Sequence, residues 1–339
     1  MRFSFIVPVY NRPNEVEELL ASLCKQTKQG FEVIIVEDGS EISCEDVCKR
    51  YSEKLDIHYF RKENGGPSAA RNYGAERAKG DYLLIVDSDI IAPEGYIEAI
   101  EEELAKEDAD AFGGPDAAHP DFSPIQKAIS YSMTSFLTTG GIRGGKKKMD
   151  KFYPRSFNLG VKREVFEALN GFDTTMRFGE DIDFSIRIFE NGYKCRLFEE
   201  AWVYHKRRST FKQFFKQVHN SGIARIHLYQ KYPKTLKLVH LLPSVFTLGL
   251  VFLIVLCGIG IVLHNPWMTY VPVVLGLLYS LGIVLDASFQ SRSLHVGCLS
   301  CVAAFVQLTG YGTGFLRAVW HCLVLKEKDF QAFRKNFYK

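Results

Sequence analysis

Two aspartates, Asp87 and Asp89, stand two residues apart at the end of the apolar run Tyr82-Leu-Leu-Ile-Val86. In a strand, residues two apart share a side, so both carboxylates face the same way. Such a pair repels itself unless a hard divalent cation lies between its members. Mg²⁺ takes one or two protein carboxylates and leaves its other positions to water and diphosphate oxygens. Metal-held diphosphate chemistry is therefore the first expectation. A second acidic group, Glu180, Asp181 and Asp183, opens an amphipathic stretch that ends at Asn191-Gly192. Acids in a first helical turn complement the helix dipole, so their types alone leave a structural and a chemical role both open. Trp202-Val-Tyr-His205 reads as a short strand ending in a histidine.

These groups need a scaffold, and the chain alternates to provide one. Phe3–Val9, Phe31–Glu37, Ile57–Arg61 and Tyr82–Asp87 are short β-branched or aromatic runs, and the segments near 13–27, 44–54 and 67–79 have helical apolar spacing. That order predicts an α/β fold, a mainly parallel sheet flanked by helices, with ligands bound beyond the carboxyl ends of the strands. The residues just past those ends are Tyr10-Asn11, Asp38-Gly39-Ser40, Asn64-Gly65-Gly66 and Asp87-Ser88-Asp89. Turn formation accounts for the Gly, Asn and Ser but poorly for the clustered carboxylates. Beyond a charged helix at Glu94–Lys106, the stretch from Gly113 to Lys151 has little periodicity, and its basic tip, 140–148, reads as a mobile loop.

Taken together, the motifs resemble glycosyltransferase family 2. The matching pieces are Val7-Pro-Val-Tyr-Asn11, Val36-Glu-Asp-Gly-Ser40, Asn64-Gly-Gly-Pro-Ser-Ala-Ala-Arg-Asn72, Val86-Asp-Ser-Asp89, Gly171-Phe-Asp173, Gly179-Glu-Asp181 and Val203-Tyr-His205, in family order across roughly 3–206. The resemblance implies a GT-A, Rossmann-like mixed sheet, a nucleotide-diphospho-sugar donor, a divalent metal (Mg or Mn), and inversion at the anomeric carbon. Carried over position by position, it implies that Pro8, Tyr10 and Asp38 contact base and ribose. Arg71 reaches the nucleotide or its phosphates, Asp87 lies near ribose and metal, and Asp89 ligates the metal. His205 completes the metal shell as it does in some members. Asp181 matches the catalytic base, and Glu180 and Asn158 would meet the acceptor. A Gln-X-X-Arg-Trp motif, carried by processive synthases of the family, is missing between Asp181 and the first apolar run, which favours transfer of a single sugar.

Composition changes near Lys237, so the net charge of +3 averages two unlike regions. Residues 206–237 carry nine Lys or Arg and no Asp or Glu, which suits an anionic membrane surface or a phosphorylated ligand; no nucleic-acid partner is expected. Apolar runs follow at about 243–263 and 268–285, each long enough to span a bilayer, and a third, glycine-containing one at 296–325 either spans, re-enters or lies in the interface. The expected organisation is a catalytic domain over 1–210, a basic amphipathic membrane-proximal segment over 211–240, a membrane region over 241–325 and a basic tail over 326–339. The N-terminal apolar run is too short for a signal sequence. The eight scattered cysteines lack zinc spacing and read as reduced thiols.

These features predict a multi-pass protein of the cell (inner) membrane with a cytosolic catalytic domain. Its acceptor would be membrane-associated, a lipid-linked or growing glycan of the cell surface. Polyprenyl-phosphate glycosyl transfer, or a non-catalytic nucleotide-sugar-binding scaffold, stands as the alternative.

Overall fold

A computed structural model describes residues 1–119, 121–139, 152–327, 330 and 333. The basic tip at 140–148 and most of the basic tail lie outside the described residues. The chain divides into two compact units, the described residues of Met1–His119 with Met149–Lys206, and those of Pro120–Lys148 with Arg207–Lys339.

The first unit is built on a sheet with seven strands among the described residues, in the order β3-β2-β1-β4-β8-β6-β9. Strands β1 (Phe3–Val9), β2 (Glu32–Asp38), β3 (Asp56–Lys62) and β4 (Tyr82–Val86) are parallel. They alternate with helices α1 (Pro13–Leu23), α2 (Glu45–Tyr51) and α3 (Pro67–Ala75). Strands β1, β2 and β4 are buried almost throughout, as their unbroken Val/Ile/Leu/Phe composition requires when helices cover both faces. Phe5, Val7 and Val33 pack against Leu19, Leu20 and Leu23 of α1 on one side. On the other, Ile6, Ile34 and Ile85 meet Ala70 of α3 and Phe184 and Ile188 of α8 (Glu180–Glu190).

After β4 the chain makes the short strand β5 (Ile90–Ile91), helix α4 (Tyr96–Lys106), and strands β6 (Ala111–Gly113) and β7 (Asp116–Ala117). Strand β8 (Asn158–Lys162) then runs antiparallel to both β4 and β6, α7 (Arg163–Ala168) follows it, and β9 (Cys195–Leu197) lies parallel to β6. A three-stranded sheet joins β5, β10 (Val203–His205) and β7.

The expected strands are present with ends within one residue. Helix α1 stops at Leu23 rather than near 27 because the residues beyond it bond elsewhere. Gln26 Nε2 donates to the Pro93 carbonyl at 2.6 Å, and the Thr27 amide donates to the Glu94 carbonyl at 2.9 Å.

The second unit is helical. It contains α5 (Pro124–Thr134), α6 (Phe136–Thr139), α9 (Phe211–Lys231), α10 (Leu242–Val262), α11 (Pro266–Ser291) and α12 (Leu294–Ala318), the last continuing as a π-helical segment, Val319–Val324. The expected boundary at 210 is corrected here, because α5 and α6 belong to this unit. Ala128, Ile129 and Met133 of α5 pack with Phe214 and Val218 of α9 and Ala303 of α12.

Among the described residues three helices, of 21, 26 and 31 residues, are long and apolar enough to cross a membrane. The third is one continuous helix and forms the centre of the bundle. Helix α9 approaches it where glycines leave room: a Cβ on Gly314 would lie 2.0 Å from the His219 carbonyl oxygen, and one on Gly222 2.3 Å from that of Tyr311. Leu248, Val251, Phe252, Ile254 and Val255 leave α10 apolar on its outside as well, as a helix facing lipid is.

Candidate active site

The short strand β5 decides where Asp89 sits. Ile90 pairs with His205 in the antiparallel β5–β10 ladder, and the Lys206 amide donates to the Asp89 carbonyl at 3.1 Å. This register brings His205 Nε2 to 3.3 Å from Asp89 Oδ1, with the imidazole stacked on Phe157 at a centroid distance of 4.6 Å. The ligand atoms of Asp87, Asp89 and His205 all lie within 4.8 Å of one another. Ligands of one ion held at about 2.1 Å are roughly 3–4.2 Å apart, so side-chain adjustments of about an ångström would let this group hold a divalent cation. The donor set of two carboxylates and an imidazole suits Mg²⁺ or Mn²⁺.

Three arginines answer the acids. Arg71, on α3 and 3% exposed, extends one guanidinium nitrogen to Asp87 Oδ1 at 2.8 Å and another to Glu180 Oε1 at 2.9 Å. Burial works against its charge, and Asp87 and Glu180 more than compensate, holding the guanidinium above its ordinary pKa. Glu180 and Asp181 open α8 directly after Gly179, whose φ of +80° sets the turn into the helix. Burial pushes the Glu180 carboxyl up to about 7; Arg71 opposes that rise and the neighbouring Asp181 adds to it. Asp181 Oδ2 is 3.2 Å from Arg155 Nη1. Asp89 Oδ2 receives Arg12 Nη1 at 2.5 Å. Asp183, the third first-turn acid, is fully buried and paired with Arg187 one turn on, which is a structural use.

The residues expected at the nucleotide cluster at the ends of β1 and β2. Pro8 pairs with Val36 in the ladder, and Tyr10 follows the strand half-buried. The Asp38 carboxylate accepts hydrogen bonds from the Gly65 and Gly66 amides at 2.8 and 2.7 Å and from Lys62 Nζ at 2.7 Å, tying the Asn64-Gly-Gly turn to β2. Gly39 is at φ +72°, and a Cβ there would come 2.8 Å from the Asn64 backbone nitrogen.

One expectation needs correction. Asn158, assigned to the acceptor, is 1% exposed, with its amide used inside the protein: Oδ1 accepts from Tyr96 Oη at 2.7 Å and Nδ2 donates to the Ala201 carbonyl at 2.8 Å. Its place at the first position of β8 turns the side chain inward. Arg12 and Arg155 were missed. Arg12 had a readable signal, the end of β1 that Tyr10 and Asn11 share; Arg155, next to an aperiodic stretch, had none. A separate group, Glu32, Asp56 and His58, gathers at the opposite ends of β2 and β3. It is internally compensated: Glu32 Oε1 accepts from Ser4 Oγ and the Lys79 amide, both at 2.6 Å, and Arg2 pairs with Asp56 at 3.2 Å.

Residues 4–169 match the sequence profile of Glycosyl transferase family 2. These residues are a glycosyltransferase family 2 domain. The chain is 27% identical over 210 residues to the uncharacterized glycosyltransferase EpsJ of Bacillus subtilis, a match covering 60% of each chain. It is 30% identical over 212 residues to the minor teichoic acid biosynthesis protein GgaB of the same organism, which covers 60% of this chain and 23% of that protein. The match therefore spans less than two thirds of either relative. Among solved structures, the mannosyltransferase PcManGT from Pyrobaculum calidifontis, in complex with GDP-Man and Mn²⁺, shares the fold at a TM-score of 0.58 and 17% identity, over 94% of this chain and 87% of that one. The mixed, mainly parallel sheet of this family 2 chain is thus a GT-A sheet.

Proposed function

We propose that the protein is an inverting glycosyltransferase that moves a single sugar from a nucleotide-diphospho-sugar to a membrane-associated acceptor, a lipid-linked glycan, in cell-surface polysaccharide synthesis. The observation that carries this reading is the linkage through Arg71, which joins Asp87 of the Asp87/Asp89/His205 group to Glu180, the residue before Asp181. A diphosphate-binding group and a carboxylate at a helix start thereby share one ion-pair network. Family membership and the kinship with a teichoic acid protein support the class of reaction and its cell-envelope setting.

In this reading Asp181 accepts the proton of the acceptor hydroxyl while that oxygen forms its bond to the anomeric carbon. The bond from that carbon to the diphosphate breaks on the opposite face, which inverts the centre. Asp87, Asp89 and His205 would hold a divalent cation, which would supply charge for the departing diphosphate in place of a general acid. Arg155, 3.2 Å from Asp181, holds the carboxylate in place until the acceptor arrives. Glu180, held by Arg71, borders the acceptor. Pro8 and Tyr10 line the base, and Asp38 the base or ribose. The three apolar helices anchor the chain as a multi-pass protein of the inner membrane, with the first unit on the cytosolic side where nucleotide sugars are made.

The test is release of nucleoside diphosphate by detergent-solubilised protein offered UDP-, GDP- and dTDP-sugars with Mn²⁺ or Mg²⁺ and membrane lipid extract. Metal-dependent release from one of them, coupled to labelling of the lipid fraction, is expected. Donor binding without release under any of these conditions would favour the scaffold reading instead.

A further inference from the structure

Arg12 is the residue of the site for which the family reading has no use. It stands at the N-cap of α1, on a backbone fixed from both sides. The Asn11 amide donates to Ser40 Oγ at 2.9 Å, Asn11 Oδ1 accepts from the Glu41 and Ile42 amides at 2.8 and 3.0 Å, and Asn11 itself is at φ +54°. From that anchored turn the side chain crosses to Asp89 Oδ2 at 2.5 Å. Burial works against its charge; Asp89 first, and Asp87 after it, outweigh that cost and hold the guanidinium above its ordinary pKa. The positive charge of Arg12 thus lies against Asp89, one of the carboxylates assigned to the metal.

We infer that Arg12 is a built-in cation that holds Asp89 in the donor-free enzyme and that a divalent metal must displace. This deepens the metal reading of Asp89 proposed above and rests on it. Two features separate Arg12 from Arg71. The Arg71 side chain is 4% exposed and bridges two acids, whereas that of Arg12 is 34% exposed and has solvent into which it can turn. A metal bound to Asp89 would also lie within roughly 5 Å of the guanidinium in its present position, where two cations repel strongly in a partly buried site. Arg12 therefore keeps the acids compensated without metal and lowers the affinity of the site for a bare ion. A metal that arrives together with a diphosphate brings the anion to which the released guanidinium can turn.

The test measures Mn²⁺ alone, by the electron paramagnetic resonance signal of free Mn²⁺, on the full-length protein in detergent without any donor. Removal of the competing charge in Arg12→Gln should tighten Mn²⁺ binding roughly three- to tenfold, the worth of a partly exposed charge-assisted bond. Arg12→Met, which keeps the apolar stem, should move affinity the same way and guards against an effect peculiar to one variant. Asp89→Asn should abolish the binding. Unchanged or weaker Mn²⁺ binding in both Arg12 variants, with loss in Asp89→Asn, overturns the inference and leaves the metal reading intact; an orienting partner of Asp89 would give that weaker result. Binding unaffected by Asp89→Asn overturns both.

Discussion

Arg71 donates to Glu180 at 2.9 Å across 109 residues of sequence, and the same guanidinium holds Asp87 at 2.8 Å. One buried side chain thus fixes the distance between Asp87, just past β4, and Glu180, at the start of α8. Deleting it strands two acids. Arg71→Ala should cost about 3–5 kcal/mol of stability, as broken buried ion pairs do. Arg71→Lys should recover only part of that, because a single ammonium lacks the planar fork that reaches both carboxylates. Thermal unfolding of the two variants checks the order, and equal stability of Arg71→Ala and the parent protein would contradict it.

Glu180 gives the protein a pH dependence of known sign. Its folded-state pKa is raised, from 4.5 to about 7, chiefly by burial. The folded state therefore binds the proton more tightly than the unfolded chain, and the stability gained is complete below pH 4.5 and lost as pH rises through about 7. Glu180→Gln cannot titrate. The difference in Tm between variant and parent should grow in the variant's favour across that window, and a pH-independent difference would contradict the shift.

Asn158 acts through packing. Asn158→Ala leaves the Tyr96 hydroxyl and the Ala201 carbonyl without their buried partner, a loss of about 1–3 kcal/mol. The expected signature is a lower Tm with an unchanged acceptor KM. A raised acceptor KM at unchanged Tm would return Asn158 to the acceptor site.

The helical unit depends on close approach. Gly314→Val would drive a side chain into the His219 carbonyl, which lies 2.0 Å from where even a Cβ would stand. Separation of α9 from α12 should appear as early aggregation in detergent on size-exclusion chromatography, whereas Gly276→Val, at a position with open space around its Cβ, should behave as the parent does.

Much of the first unit was legible because its chemistry sits at strand ends, where an unbroken apolar run and a polar switch mark both the element and the site. Asp87 and Asp89 follow from that rule, whereas Arg71, on α3, was marked only by the family resemblance. His205 was harder, since its approach to Asp89 depends on the two-residue pairing of β5 with β10, too short to leave a pattern. Asn158 misled because its type fits an acceptor contact and only the inward turn of β8 shows the amide to be spent. Helices α5 and α6 were assigned to the wrong unit for a related reason. Their apolar residues announce a partner, but nothing in the sequence names α9 and α12 as that partner.

The most direct measurement is donor affinity and turnover of Asp181→Asn beside the parent enzyme, in saturating Mn²⁺. This substitution leaves the proposed metal and nucleotide groups in place and removes the proposed base. Donor Kd should therefore stay within about twofold, and turnover should fall by roughly 10²–10⁴, the usual worth of a general base. An Asp181→Asn protein that releases nucleoside diphosphate at the parent rate would contradict the assignment of the base.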